Sequence, residues 1–119
     1  MKILNAKIHG IIDYLVVIFL LLSPTLFSLS YPISLFVYAL AGIHLTLTVL
    51  TDFPFGIVKV IPLKLHGWIE LIVGIVLLFS PFVLPHFATN NLFDTYFLGG
   101  FGIAVLLTWF LTDYSPYQR

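Results

Sequence analysis

The sequence predicts an all-α, polytopic membrane protein: four transmembrane helices built as two tandem helical hairpins that enter the membrane in the same direction. Three observations predict it. Hydrophobic residues make up 61% of the 119 positions and charged residues 8%, against about 25% charged in a soluble domain. Four apolar stretches, about 8–23, 33–51, 66–84 and 95–112, approach the roughly 20 residues that a helix needs to cross a bilayer. The first half of the chain also recurs in the second.

The first stretch follows Lys2 and Lys7 and contains the unbroken apolar run 15–22. It has the outline of a signal peptide, but Asp13 interrupts it and no small-x-small site follows Ser23-Pro24. The same segment recurs at 64–81, so it is expected to remain in the mature protein. Proline lacks an amide donor and biases the residue before it away from helix. The first helix is therefore expected to end or bend at Ser23-Pro24, with 25–29 completing the crossing or lying in the interface. The second stretch fits a span directly. Segment 53–62 is too short and broken to cross; it is expected along the inner interface, with Lys59 snorkelling to water. The third stretch is cut at Ser80-Pro81 as the first is, and should be similarly short. The fourth fits directly. These runs are continuous, without the alternation that membrane strands of about 10 residues require, and helices satisfy their own backbone in lipid. Gly42, Gly74, Gly99, Gly100 and Gly102 are expected to let helices approach closely. Trp68, Trp109, Tyr114 and Tyr117 suit an inner aromatic belt; Phe27, Tyr31, Phe87 and Tyr96 suit an outer one.

All five basic residues fall on one side. Lys2 and Lys7 precede the first helix, Lys59 and Lys64 lie between the second and third, and Arg119 follows the fourth. The positive-inside rule makes that side cytoplasmic, with both termini inside.

The repeat is explicit. Residues 7–24 align without a gap with 64–81, and ten of the eighteen positions are identical, Asp13 pairing with Glu70. Leu50-Thr51-Asp52-Phe53 aligns with Leu111-Thr112-Asp113-Tyr114. The chain thus reads as one domain over 1–119, with repeat one at about 2–53 and repeat two at about 59–114. Two spans per copy predict a pseudo-two-fold axis along the membrane normal, as in parallel-repeat transporters.

The order His-Gly-x-x-Asp…Ser-Pro, then Thr-Asp-Phe-x-x-Gly-x-Val-x-x-Ile-Pro, then His-Gly…Glu…Ser-Pro resembles the SPW-repeat membrane proteins of bacteria over about residues 7–114. The tryptophan that names the family is replaced by Thr25 after the first Ser-Pro and by Phe82 after the second. The resemblance implies a four-helix protein of the bacterial inner (cytoplasmic) membrane and implies no activity.

Several function classes are excluded. Net formal charge is zero and there is no Lys/Arg run, so no nucleic-acid partner is indicated. The chain has no cysteine, which removes thiolate metal sites and cysteine nucleophiles. Gly99-Gly100-x-Gly102 follows no strand and is no phosphate loop; Ser23 and Ser80 have no nearby base.

Chemistry in a membrane protein is sought at its intramembrane ionisable residues. His9 and Asp13 are four apart and share a helix face; His66 and Glu70 repeat the arrangement. Together they form a set of two imidazoles and two carboxylates able to hold a divalent metal such as zinc, iron or manganese, or to relay protons. Gly10 and Gly67, next to the histidines, would let backbones approach. Asp52, Asp113 and His44 are expected in the same polar layer. His44 is also a possible haem ligand, although its aligned position in the second copy is Val105. A structural alternative has these groups satisfying one another at the interface. No His-Glu-x-x-His motif marks a metalloenzyme. The readings that follow are a non-enzymatic structural or accessory component, with a homo-oligomer or membrane-protein partner; a metal- or proton-handling protein; and a small transporter.

Overall fold

The computed structural model describes residues 2–87 and 89–115, the side chain of Phe87 aside; the tail 116–119, including Tyr117 and Arg119, and the side chain of Phe87 lie outside the described residues. Four helices account for most of the chain: α1 (Ala6–Leu26), α2 (Ile33–Leu50), α3 (Leu63–Phe87) and α4 (Leu92–Leu111). Each is long and apolar enough to cross a membrane, and no strand occurs among the described residues. The molecule extends 47 Å along its longest axis, close to the ~40–45 Å of a bilayer with its headgroup regions. The chain is a four-helix, multi-pass membrane protein.

Sequence and side chains set the helix ends. Asn5 caps α1 by accepting the Ile8 amide at 2.9 Å, and Asn91 caps α4 by accepting the Phe93 amide at 2.9 Å. These side chains serve amide donors that a helix start otherwise leaves unpaired.

The Ser-Pro steps do not shorten the odd-numbered helices. α1 continues through Pro24 to Leu26, and α3 continues through Pro81 and Pro85 for 25 residues. Each proline deprives the carbonyl four residues back of its donor, and at the two Ser-Pro steps the serine hydroxyl bonds a carbonyl of the preceding turn. Ser80 Oγ donates to the Leu77 carbonyl at 2.6 Å, the very acceptor that Pro81 cannot serve. Ser23 Oγ donates to the Phe19 carbonyl at 2.5 Å, one position from the acceptor orphaned by Pro24. Such local repair is how membrane helices tolerate proline.

The helices pack most extensively within hairpins, α1 on α2 and α3 on α4. A core of Leu20, Leu29, Ile33, Val37, Ala41, Leu77 and Leu98 joins the two hairpins toward the end away from the lysines. Most outward side chains are apolar, Ile72 and Phe82 among them, as lipid requires. Gly74, Gly99 and Gly102 face α4–α3 contacts: a Cβ on Gly102 would lie 2.6 Å from the Leu78 amide nitrogen. Gly42 and Gly100, expected to serve the same end, face open space. Tyr31, Trp68 and Tyr96 are exposed, as belt residues are, whereas Tyr114 is half-buried and turns inward.

The connections reveal how the copies are joined. Leu4 forms a parallel bridge with Thr112, and Ile61 forms one with Thr51. Leu4 N donates to the Leu111 carbonyl at 2.9 Å, and Ile61 N to the Leu50 carbonyl at 2.8 Å. Asp113 N donates back to Leu4 at 2.9 Å, and Asp52 N to Ile61 at 2.8 Å. Under the repeat alignment these are the same contact made twice. The lead-in to each copy pairs with the end of the other, the reciprocity that a two-fold relation produces. Segment 53–62 is therefore not simply laid on the interface. Val58, Lys59 and Val60 are exposed, but Phe53 is fully buried beneath the polar layer and Ile61 is backbone-paired.

Candidate metal centre

His9 and Asp13 sit one turn apart on α1, and His66 and Glu70 one turn apart on α3. Three of the four are within 1% of complete burial and Glu70 is 6% exposed. Each offers one ligand atom, and the four atoms lie within 4.8 Å of one another. His9 Nε2 is 3.2 Å from Asp13 Oδ1 and 3.3 Å from Glu70 Oε1. His66 Nε2 is 3.2 Å from Asp13 Oδ2 and 3.4 Å from Glu70 Oε1. Donors held about 2.0–2.1 Å from one tetrahedral ion are spaced about 3.3–3.4 Å apart. The four nitrogen–oxygen separations are close to that edge length, the two contacts to Asp13 engaging different oxygens of its carboxylate.

The far side of each imidazole is fixed. Thr112 Oγ1 lies 2.8 Å from His9 Nδ1 and donates to the Thr108 carbonyl at 2.6 Å. Thr51 Oγ1 lies 2.7 Å from His66 Nδ1 and donates to the Leu47 carbonyl at 2.6 Å. A carbonyl can only accept, so each threonine hydroxyl proton is committed, and each Nδ1 must be the donor to its threonine. In the neutral ring this leaves Nε2 as a bare lone pair facing the carboxylates. Consistently, neither Nε2 has a hydrogen-bond partner although carboxylate oxygens are close by: the approaches lack the direction of a ring N–H···O bond.

The aromatic residues that end each repeat close the site on the lysine side. Phe53 lies 5.9 Å from His66 and Tyr114 5.5 Å from His9, between ring centroids. A Cβ on Gly10 would meet the Phe53 ring at 3.0 Å, and one on Gly67 the Tyr114 ring at 2.9 Å. These glycines therefore admit aromatic rings rather than neighbouring helix backbones. The Tyr114 hydroxyl donates to Glu70 Oε2. Burial, reinforced by the Glu70 carboxylate, pushes the Tyr114 phenol above its ordinary range, so it remains a donor.

His44 joins the layer from α2, as expected. Its Nε2 is 3.5 Å from Asp13 Oδ1 and has no hydrogen-bond partner. The haem reading does not fit. The ring faces Asp13, its centroid is 6.5 Å from that of His66, and each of two cavities beside it measures about 40 Å³. That is room for water-sized ligands and not for a macrocycle.

Asp113 does not place its carboxylate in the layer. Asp113 is exposed and accepts the Ser115 amide and hydroxyl at 2.9 and 2.5 Å, which hold its carboxyl below the usual range. Asp52 is half-buried and outside the ligand set. In each Leu-Thr-Asp triplet it is the threonine that reaches the histidine of the other copy. The duplicated Thr51 and Thr112 were visible in the sequence, but charge drew the reading to the aspartates. Asp94 also carried no prediction. It is fully buried at the opposite end, where Oδ2 accepts the Ser30 amide at 3.0 Å and the Ser30 hydroxyl, tying the two hairpins together there.

Compared with family models, curated proteins and solved structures, the chain matches none.

Proposed function

We propose that this is a divalent-metal-binding membrane protein, its ion held by His9, Asp13, His66 and Glu70. The observation that carries the reading is the pair of Nε2 atoms, each turned toward two carboxylate oxygens at 3.2–3.4 Å without a hydrogen bond. Lone pairs so close to carboxylates repel unless a cation lies between them. Protonated imidazoles would be expected to aim N–H at an oxygen, so mutual satisfaction of histidine and carboxylate accounts less well for the geometry. Two carboxylates and a divalent ion sum to zero charge, the condition under which such a group is tolerated inside a membrane. Two imidazole nitrogens and two carboxylates within 4.8 Å of one another suit zinc best, with iron(II) and manganese(II) as further candidates. Threonines holding each Nδ1 are the outer partners that metal-bound histidines commonly have.

Two ligands come from each hairpin, so the ion also serves as a staple between them. This joins the metal reading to a structural or accessory role. A transporter has less support: the core beyond the site, from Leu20 to Leu98, offers no polar track. The lysines, at the same end as the metal site, support a cytoplasmic location for that end and both termini. Motif order and duplication support placement with the SPW-repeat proteins, and with them a bacterial inner membrane.

Purification in mild detergent followed by elemental analysis tests the reading. One divalent ion per chain is expected, lost in both His9→Ala and His66→Ala, with thermal stability falling on chelation. Metal-free protein that neither takes up a divalent ion nor responds to chelator would sink it.

A further inference from the structure

Beside the ligands, the two-fold pattern breaks at His44 of α2, whose aligned position on α4 is Val105. Between them lies a cavity of about 40 Å³ whose wall includes Asp13, Glu70, His44, Phe101, Val105 and Thr108. Two of the four proposed ligands thus border it directly. A water needs roughly 10–15 Å³ of such space, so the cavity holds one or two atoms' worth of ligand beyond a water. A second cavity of about 40 Å³ also touches His44, Glu70 and Val105, and its wall reaches the lipid-exposed Ile43. On the opposite side, Phe53 and Tyr114 close the site. The His44 side thus offers space for an exogenous ligand of the ion. His44 Nε2 is buried there without a hydrogen-bond partner, and it stands outside the four-residue ligand set.

We propose that this cavity receives a water-sized ligand of the bound metal, such as water, hydroxide or a small anion, and that His44 is the hydrogen-bond partner of that ligand. The inference rests on the metal reading and extends it: the site is a binding centre with an exchangeable position and not only a closed staple. The asymmetry of the repeat acquires a reason. One copy supplies a polar partner, and the other supplies the small apolar Val105 that leaves room.

The test uses the full chain in detergent, loaded with cobalt(II), with azide as the probe. Wild type is expected to hold one cobalt per chain and to change its visible spectrum on azide addition. Val105→Leu, which fills the cavity, should keep the cobalt and raise the azide half-saturation at least tenfold. His44→Ala should also keep the cobalt and weaken azide roughly three- to tenfold, the loss of one hydrogen bond. Should Val105→Leu fail to hold cobalt, Val105→Ala carries the test: it must bind azide at least as tightly as wild type. Bound cobalt with an azide-insensitive spectrum overturns the proposal and leaves the metal reading intact. So do variants that titrate like wild type. Loss of cobalt in His44→Ala would make His44 a ligand and overturn its assigned role. Wild type that takes up no cobalt refutes the metal reading, and this inference with it.

Discussion

The α1–α2 and α3–α4 hairpins share a base and differ above it. At the lysine end the backbone bridges and the threonine–histidine contacts match: His9 on Thr112 and His66 on Thr51, Leu4 on Thr112 and Ile61 on Thr51. Farther along, α3 and α4 are drawn together by Gly74, Gly99 and Gly102, whereas the first copy has Val17, Tyr38 and Ala41 at those positions. The difference teaches where the duplicated sequence is constrained. The base carries crossed hydrogen bonds and backbone pairings that depend on exact geometry, and it is duplicated there. Helix packing has many solutions of similar free energy, and each copy uses its own.

The sharpest way to break the comparison is at the threonines. Thr51→Val and Thr112→Val each keep side-chain size and remove the acceptor that orients one histidine. Each is expected to weaken metal binding about 10- to 100-fold, and by similar factors, measured by competition with a chromophoric chelator. Widely unequal losses would mean that the two halves of the site are not equivalent.

Packing is expected to respond in the opposite way. Gly102→Ala places a methyl group 2.6 Å from the Leu78 backbone and should destabilise by about 1–3 kcal/mol through overpacking. Its counterpart Ala41→Gly should cost about 1 kcal/mol through helix propensity and lost packing. Gly100→Ala faces open space and should stabilise by about 0.5–1 kcal/mol. Unfolding by SDS titration in mixed micelles checks all three, and a neutral Gly102→Ala would contradict the close α3–α4 approach.

The smallest effect concerns the aromatic lids. Tyr114→Phe makes the second copy resemble the first, where Phe53 stands. It removes one donor to Glu70 while keeping the ring in the Gly67 cradle. A loss of about 0.5–1.5 kcal/mol in metal binding is expected. An unchanged affinity would show that the hydroxyl does not hold Glu70 in place.

Much of this was legible in the residues. Apolar runs of bilayer length specify four helices because lipid offers the backbone no other partner. Spacing of four put His9 with Asp13 and His66 with Glu70, because a helix returns to the same face in that interval. Other features misled. Ser23-Pro24 and Ser80-Pro81 were expected to end or bend their helices, and the helices continue through both; at Ser80 the hydroxyl serves the very carbonyl that the proline deprives of its amide. Asp113 was chosen for its charge, but its carboxylate is exposed and it is the neighbouring Thr112 that turns inward to His9. Buried Asp94 was passed over because its partner, Ser30, is 64 residues away.

By itself, the sequence determined a four-helix membrane protein, a duplicated hairpin, and two His-x-x-x-carboxylate pairs at one end. These are local and periodic properties, set by solvent, length and helical repeat. Only the tertiary structure decided that the pairs face one another at ligand spacing, that Thr51 and Thr112 cross between copies to fix the imidazoles, and that a cavity lies between His44 and Val105. Those facts depend on how far apart two helices stand and how each is turned about its axis. Such quantities are fixed by the sum of many weak contacts across the whole molecule, and no local stretch of sequence encodes them.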